Sequence, residues 1–330
     1  MYQTSLAPSR GRVVNKRAGE LESETLSALE AEWTREGLSV RRDEPMSAHT
    51  TYQIGGPADL FVIAEGQEQL VLAATAARRL GIVPFILGGG ANLLVADAGI
   101  RGAVIAYRGD SHTFTRQDGE VLLWSEAGAL FKTLSRESIA RGLEGLEWAV
   151  DVPGTLGGAV VGNAGAYGGY ICDVMRALTV LEPDGTLHEM GAEEAGFCYR
   201  DSKFKQQPRA ERTVVLCATL ALRPGDPDEI AARAAQFSER RKERQPSDPS
   251  CGSVFKRTTN YPAGFLIEQC GLKGTRRGNA VISPKHANFI VNLGGAKATD
   301  VRALLELAQR EVKERFGEQI EPEVELVGQW

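Results

Sequence analysis

Cysteine and histidine are both scarce. Five cysteines are scattered through 330 residues without a Cys-x-x-Cys pair, and four histidines accompany them. That spacing argues against a zinc ribbon and a disulfide framework and fits a reducing compartment, so a cytoplasmic protein without a metal centre is expected. Few histidines also narrow nucleophilic catalysis, because a serine or thiol nucleophile wants an imidazole base. None of His49, His112, His188 and His286 sits in a recognisable hydrolase motif. A basic surplus is missing too: 38 Lys and Arg against 43 Asp and Glu give a net charge of −5, which disfavours a general nucleic-acid binder. No apolar run reaches the length of a membrane span, and no secretory core follows Met1. Residues 1–19 carry four basic residues and no acidic one, with little apolar periodicity, and read as a disordered leader.

What is present is glycine, 37 residues of it, much of it in two segments. Around them the patterning predicts a helix over Glu20–Glu36 with Leu26, Leu29 and Trp33 on one face. A strand at Ala58–Ala64, a helix at Gln67–Leu80 and strands at Val83–Leu87, Leu93–Val95 and Ala103–Tyr107 follow. Asp118-Gly119 and Asp184-Gly185 each mark a hairpin, with a helix at Phe131–Arg141 between them. Val214–Leu222 reads as a buried strand, and "RPGDPDE" breaks the chain after it. The remainder predicts helices at Ile230–Arg244, Ala263–Cys270 and Asp300–Phe316, with strands at Gly252–Arg257, Phe289–Val291 and Val324–Val327. The expected division is 20–110, 111–223 and 224–330, an α+β protein in three units. The basic run Glu239-Arg-Arg-Lys-Glu-Arg244 reads, on charge alone, as a solvated helix face.

The segment "LGGGANLLV" follows a strand, as a dinucleotide-binding turn would. That turn must open a helix whose N-terminus meets the pyrophosphate. Here β-type sequence follows instead, so a Rossmann unit is disfavoured, whereas successive glycine amides can still form an anion-binding nest. The second segment, Pro153-Gly-Thr-Leu-Gly-Gly158 with Asn163-Ala-Gly-Ala-Tyr-Gly168, offers the same kind of surface. Tight packing around turns would explain one such loop. Two loops poor in catalytic side chains point to a large cofactor lying between two subdomains.

In order, the chain carries "TTYQIGGPADLFV", "GGGANLLV", "VPGTLGGAVVGNAGAYGG", "YRDSKFK", "CGSVFK", "AGFLIEQCGLKG", "SPKHANFIVN" and "EPEVELVG". Together these resemble the UDP-N-acetylenolpyruvoylglucosamine reductase family, over residues 46–328. The resemblance implies a two-subdomain FAD-binding fold of the vanillyl-alcohol-oxidase type plus a C-terminal α+β substrate-binding domain. It implies FAD held non-covalently, NADPH as co-substrate and UDP-N-acetylenolpyruvoylglucosamine as substrate in peptidoglycan precursor synthesis, in a monomer without nucleic-acid or membrane partners. The short interval from Lys205 to Ser253 matches the form lacking an inserted tyrosine-bearing loop.

By that resemblance the cofactor residues are Ile54, Gly55, Gly88, Gly89, Gly90, Ala91, Asn92, Leu93, Pro153, Gly154, Thr155, Gly157, Gly158, Asn163, Ala164, Gly165 and Ala166. Ala91 stands where the family commonly has serine, which implies the loss of one hydrogen bond worth about 1 kcal/mol. The substrate's polar end is assigned to Arg244 and His286, with Lys256 and Lys273 as helpers and Tyr167 and Tyr199 along the sugar.

Hydride addition to an enolpyruvyl ether leaves an enolate conjugated to a carboxylate. The protein must hold that charge and protonate the α-carbon. Arg200 of "YRDSKFK" offers a planar, permanently charged grip on a carboxylate. Glu321, Glu323 and Glu325 alternate along one predicted strand, and sequence physics alone does not choose among them; the family pattern selects Glu323. Beside an enolate its carboxyl is expected to be pushed up and to serve as a neutral donor. Ser253 is the expected acid, since even a weak acid protonates a strongly basic carbon, and Cys251 is expected to be a packing residue. Two other readings stand beside this one. A flavin oxidase of the same fold would commonly attach FAD through His or Cys, absent from 88–92 and 153–169. A flavin- or nucleotide-binding regulator without turnover would have no need of Arg200, Ser253 and Glu323.

Overall fold

The computed structural model describes the backbone from residue 11 and side chains from residue 23, so residues 1–10 of the expected leader lie outside the described residues. Helix α1 (Gly11–Arg35) begins well ahead of Glu20, so residues 11–19 are helical where the sequence reads as a disordered leader. It carries Leu29 and Trp33 fully buried, as their spacing requires, and the Trp33 indole donates to the Ala73 carbonyl at 3.1 Å. The partner helix is α2 (Gln67–Arg79), whose alanines let it lie close to the sheet beneath. That sheet is formed by β1 (Arg41–Pro45), β2 (Pro57–Ala64), β3 (Phe85–Leu87) and β5 (Ile100–Tyr107) in the order β1-β2-β5-β3. β2 and β3 both run parallel to β5, and β4 (Leu93–Val95) lies outside this sheet. The parallel strands are nearly continuous apolar runs, the pattern expected for a sheet covered on both faces.

A second sheet follows, built from β6 (His112–Gln117), β7 (Glu120–Glu126), β11 (Met175–Leu181), β12 (Leu187–Gly191) and the long β13 (Val214–Pro224), in the order β12-β11-β13-β7-β6. Both Asp-Gly hairpins form where the sequence puts them. Asp118 and Gly119 both take positive φ, as the type I′ turn demands. β8 (Leu143–Glu144) pairs with the end of β13, and β9 (Gly165–Ala166) and β10 (Gly169–Tyr170) make a small ribbon. Helix α3 (Phe131–Ala140) is as expected, while α4 (Leu156–Val161) and α5 (Lys203–Gln206) are short helices that the glycine-rich and charged sequence concealed.

Helix α6 (Pro227–Arg244) begins at the "RPGDPDE" break with Asp226 as its cap, accepting from the Asp228 amide at 2.9 Å. It packs back on the second sheet's unit: Arg233 pairs with Glu144 and Glu147, and Ser238 donates to Asp151 at 2.6 Å. The packing therefore places α6 with the preceding residues, whereas the break at 224 assigned it to the third unit.

The last unit holds α7 (Ala263–Gln269), α8 (Ala298–Phe316) and a sheet of β14 (Arg276–Arg277), β15 (Ala280–Ile282) and β16 (Ile290–Asn292) around a separate apolar core. The strand expected over Gly252–Arg257 is absent as regular structure; a single bridge joins Phe255 to Pro322. The chain then returns: β17 (Glu325–Val327) pairs in parallel with β4 of the first unit. A second tie is Asp97, whose carboxylate accepts from the Ala298 amide at 2.7 Å and from the Thr299 amide at 3.1 Å, capping α8 in place of Lys297. Among the described residues no helix is long and apolar enough to cross a membrane.

Asp97→Ala leaves the first amides of α8 unpaired and is expected to cost about 1 kcal/mol, read as a lower unfolding midpoint by thermal melting. An unchanged midpoint would show that this cap contributes nothing to the seam.

Candidate active site

Both glycine-rich segments face one cavity of about 390 Å³. Residues 88–93 line one wall, and 152–155 with 157, 158 and 164–166 line another. The two loops touch through backbone. A Cβ on Gly89 would stand 2.6 Å from the Gly154 Cα, so this glycine is required by loop-against-loop packing as well as by access to a ligand. The amides of Gly89, Gly90, Ala91, Asn92 and Gly154 find no acceptor among the described residues. Such a run of unspent donors fits an anionic group such as a pyrophosphate. The chain leaves this loop into β4 and not into a helix, as the argument against a Rossmann turn anticipated.

Three expected cofactor residues do something else. Ile54 is buried in the core of the last unit, where the Thr50 hydroxyl donates to its carbonyl at 3.0 Å. Gly55 makes room for the side chain of Val95. Asn163 is buried, and its amide donates to the Cys198 carbonyl at 2.8 Å. None of the three lines the cavity.

Asn163 instead supports a two-residue turn that delivers Arg200. Cys198 and Asp201 exchange backbone hydrogen bonds of 3.1 and 3.2 Å, leaving Tyr199 and Arg200 at the tip. Arg200 has φ of +57°, a conformation that favours glycine. The strain of about 1–3 kcal/mol aims its guanidinium inward. Its Nε lies 2.9 Å from Oε1 of Glu323. Among the described residues the Nε–H itself has no hydrogen-bond acceptor, so the contact is one of charge and leaves donor capacity free.

Glu323 reaches this point because its amide donates to the Val254 carbonyl at 2.9 Å, while the Asn92 side chain donates to its own carbonyl at 3.0 Å. The first glycine loop, the last strand and the segment carrying Ser253 are thereby stitched together. Burial pushes the Glu323 carboxyl above its ordinary value, opposed by Arg200, Lys205 and Lys256. Glu325 also faces the cavity and pairs with Arg212 at 3.2 Å, whereas Glu321 does not and lies 3.8 Å from Lys256. The three glutamates therefore share a face only in part, because the chain at Pro322 turns to pair with Phe255.

Ser253 lines the cavity between Gly252 and the Asn288-bound segment: Asn288 accepts from the Val254 amide at 2.9 Å through its carbonyl and from the Phe255 amide at 3.1 Å through its side chain. The Ser253 hydroxyl has no hydrogen-bond partner among the described residues. Cys251, also at the wall, is buried beside Tyr52, and burial pushes its thiol up to about 12.

The expected substrate residues are not brought into the cavity lining. Tyr167 is stacked flat on Phe237 at 4.8 Å, and the Arg240 guanidinium lies 5.8 Å from its ring centre. Tyr199 is exposed beside the Arg200 guanidinium. Lys273 pairs with Glu268 at 2.7 Å, and the exposed Arg244 ends α6. Burial pushes the His286 ring below its ordinary value, helped by the positive charges of Lys273 and Arg244, so a neutral imidazole stands near two cations outside the cavity.

Sequence reasoning missed the cations of the wall: Arg78, Lys205, Arg209, Arg212 and Arg241. Burial holds Arg78, Lys205, Arg209 and Arg241 below their ordinary values. Arg241 belongs to the run read as a solvated helix face; one member of that run turns inward. The available signal was period: Phe237 and Arg241 lie four apart, on one side of α6. Among the described residues no group of three His, Cys, Asp or Glu gathers as a metal site.

With its thiol at about 12, Cys251 is about 10⁻⁴ ionised near pH 8. Peptide mapping after brief iodoacetamide treatment of the folded protein is expected to find exposed Cys198 alkylated and Cys251 intact. Equal labelling of both would contradict this placement.

Two family models match the chain. An FAD binding domain matches residues 58–191, and the C-terminal domain of UDP-N-acetylenolpyruvoylglucosamine reductase matches residues 245–327, beginning just beyond α6. UDP-N-acetylenolpyruvoylglucosamine reductase of Caldicellulosiruptor bescii is 44% identical over 298 residues, spanning 89% of this chain and 92% of its own. The reductase of Rubrobacter xylanophilus is 43% identical over 287 residues, spanning 87% and 95%. Among solved structures, UDP-N-acetylenolpyruvylglucosamine reductase from Thermus caldophilus superposes with a TM-score of 0.73 at 36% identity, over 88% of this chain and 99% of that one. On sequence, domain content and fold, the chain belongs to the UDP-N-acetylenolpyruvoylglucosamine reductase family.

Proposed function

We propose that this chain is an FAD-containing, NADPH-dependent oxidoreductase that reduces the enolpyruvyl group of UDP-N-acetylenolpyruvoylglucosamine to give UDP-N-acetylmuramate, in peptidoglycan precursor synthesis. The observation that carries the reading is the meeting of Arg200, Glu323 and Ser253 at the wall of the cavity that both glycine-rich loops line. The donor-rich backbone of 88–92 and 153–155 suits the pyrophosphate of FAD, and 157–158 with 164–166 keep space for a planar ring. Ala91 offers only its amide, so the neighbouring amides carry that contact. When bound, FAD supplies a hydride in its reduced form to the β-carbon of the alkene.

The residues supply the rest. Arg200 draws the substrate carboxylate into a fixed orientation and stays charged as the enolate develops. Glu323, its carboxyl pushed up by burial, is neutral over a wider pH range than an exposed glutamate and donates to the developing oxyanion. Ser253, whose hydroxyl has no hydrogen-bond partner among the described residues, gives the α-carbon its proton. The cluster of Arg244, Lys273 and His286 suits the nucleotide diphosphate, with Lys256 and Tyr199 nearer Glu323 and Arg200. The chain acts in this reading as a cytoplasmic monomer with non-covalent flavin.

Rapid mixing of the NADPH-reduced holoprotein with the enolpyruvyl nucleotide tests this. Substrate-dependent flavin reoxidation is expected in the wild type. Ser253→Ala should keep reduction by NADPH within about twofold and slow reoxidation at least about a hundredfold. A holoprotein reduced by NADPH whose flavin is indifferent to the nucleotide would overturn the assignment.

A further inference from the structure

Lys205 is half-buried at the cavity wall and belongs to no role so far described. Its ammonium donates to the carbonyl of Arg200 at 3.0 Å, closing the chain back on the strained residue at the tip of the Cys198–Asp201 turn. Its own carbonyl accepts from the Arg212 guanidinium at 3.3 Å, and that same guanidinium reaches Glu325 at 3.2 Å. Glu325 opens β17, and Glu323 lies on the segment that leads into that strand. The contacts run as one chain from the last strand, through Arg212 and Lys205, to the Arg200 that meets Glu323. The ammonium is faced by Lys256, Glu323, Asp201 and Glu325, and Glu323 in turn feels the positive charges of Arg200, Lys205 and Lys256.

We propose that Lys205 is a positioning residue for the Arg200–Glu323 pair, holding the left-handed Arg200 turn against the cavity and supplying a second fixed positive charge beside Glu323. The proposal rests on the reading of the site given above. A bare backbone would relax the strained turn, because a non-glycine residue with positive φ persists only where its surroundings over-determine it. The ammonium is the contact that does so at the Arg200 carbonyl, and Asn163 secures the base of the turn. Burying a lysine beside a second lysine costs desolvation and repulsion, which the carbonyl and the three carboxylates offset only in part, leaving the ammonium below its ordinary value.

The test uses holoenzyme and separates the two half-reactions. Lys205→Met should keep its flavin and its reduction by NADPH within about twofold, while reoxidation by the enolpyruvyl nucleotide slows at least about tenfold. Lys205→Arg, which keeps charge and donor, should recover to within about threefold. The charge has its own signature. Lys205 favours the ionised form of Glu323, so its removal raises the carboxyl further, and the alkaline fall in reoxidation rate should move to higher pH in K205M and not in K205R. Reoxidation within twofold of wild type with an unmoved alkaline limb overturns the proposal, as does equal slowing of both half-reactions. If K205M does not hold flavin, the same readouts on Lys205→Gln decide. Wild-type enzyme without nucleotide-dependent reoxidation would instead reject the site assignment itself.

Discussion

A carboxylate pushed out of water must be matched by charge from the same protein, and in this fold the match is made across a seam. Glu323 comes from the returning C-terminal segment and Arg200 from a turn of the second subdomain, and they meet at 2.9 Å. Neither position is stable alone. Removing one partner of a buried pair leaves the other charge uncompensated, at a cost of about 3–5 kcal/mol when fully buried and less here, where both keep partial exposure. The seam also explains why the last strand leaves its own unit and pairs with β4: that pairing carries Glu323 to the Asn92 side chain and the first glycine loop.

The glycine loops show two demands falling on the same residues. Gly89 meets Gly154 across the subdomain boundary, so the loops approach as closely as backbone allows. The amides left without acceptors then lie at that contact and face the cavity. Packing and ligand access are one device: the close approach creates the donor-lined wall, and only residues without side chains permit it. Asn163 extends the same economy, since its side chain reaches from the second glycine segment to hold the turn that carries Arg200.

Much of this was legible in the sequence because it is local. The Asp-Gly hairpins and the Leu29–Trp33 face of α1 each depend on residues a few positions apart, and each formed where expected. Ser253, Arg200 and Glu323 were legible through motif, and they share one cavity. What escaped depends on distant packing. The segment after Cys251 has β character, yet its partner on one side is the single residue Pro322, so a bridge forms and no strand. Asn163 is assigned to the cofactor by its motif, and its bond to the Cys198 carbonyl, 35 residues on, is not visible in sequence. The cations of the wall resemble any solvated Arg or Lys in sequence; only the closing of α6 and of the 198–214 segment over the cavity removes Arg241, Lys205 and Arg212 from water. The stacking of Tyr167 on Phe237 is equally invisible in sequence, because it depends on α6 closing over the second glycine segment.

The central claim is that burial keeps Glu323 protonatable at the cavity while Arg200 restrains it, and the carboxyl itself reports this. Carbon-detected NMR titration of the labelled Glu323 side chain is the direct measurement, with Arg200→Met as comparison. The account predicts a midpoint above that of an exposed glutamate in the wild type, and a further rise when the guanidinium is removed. A wild-type midpoint at or below the ordinary value, unmoved by the substitution, would contradict it.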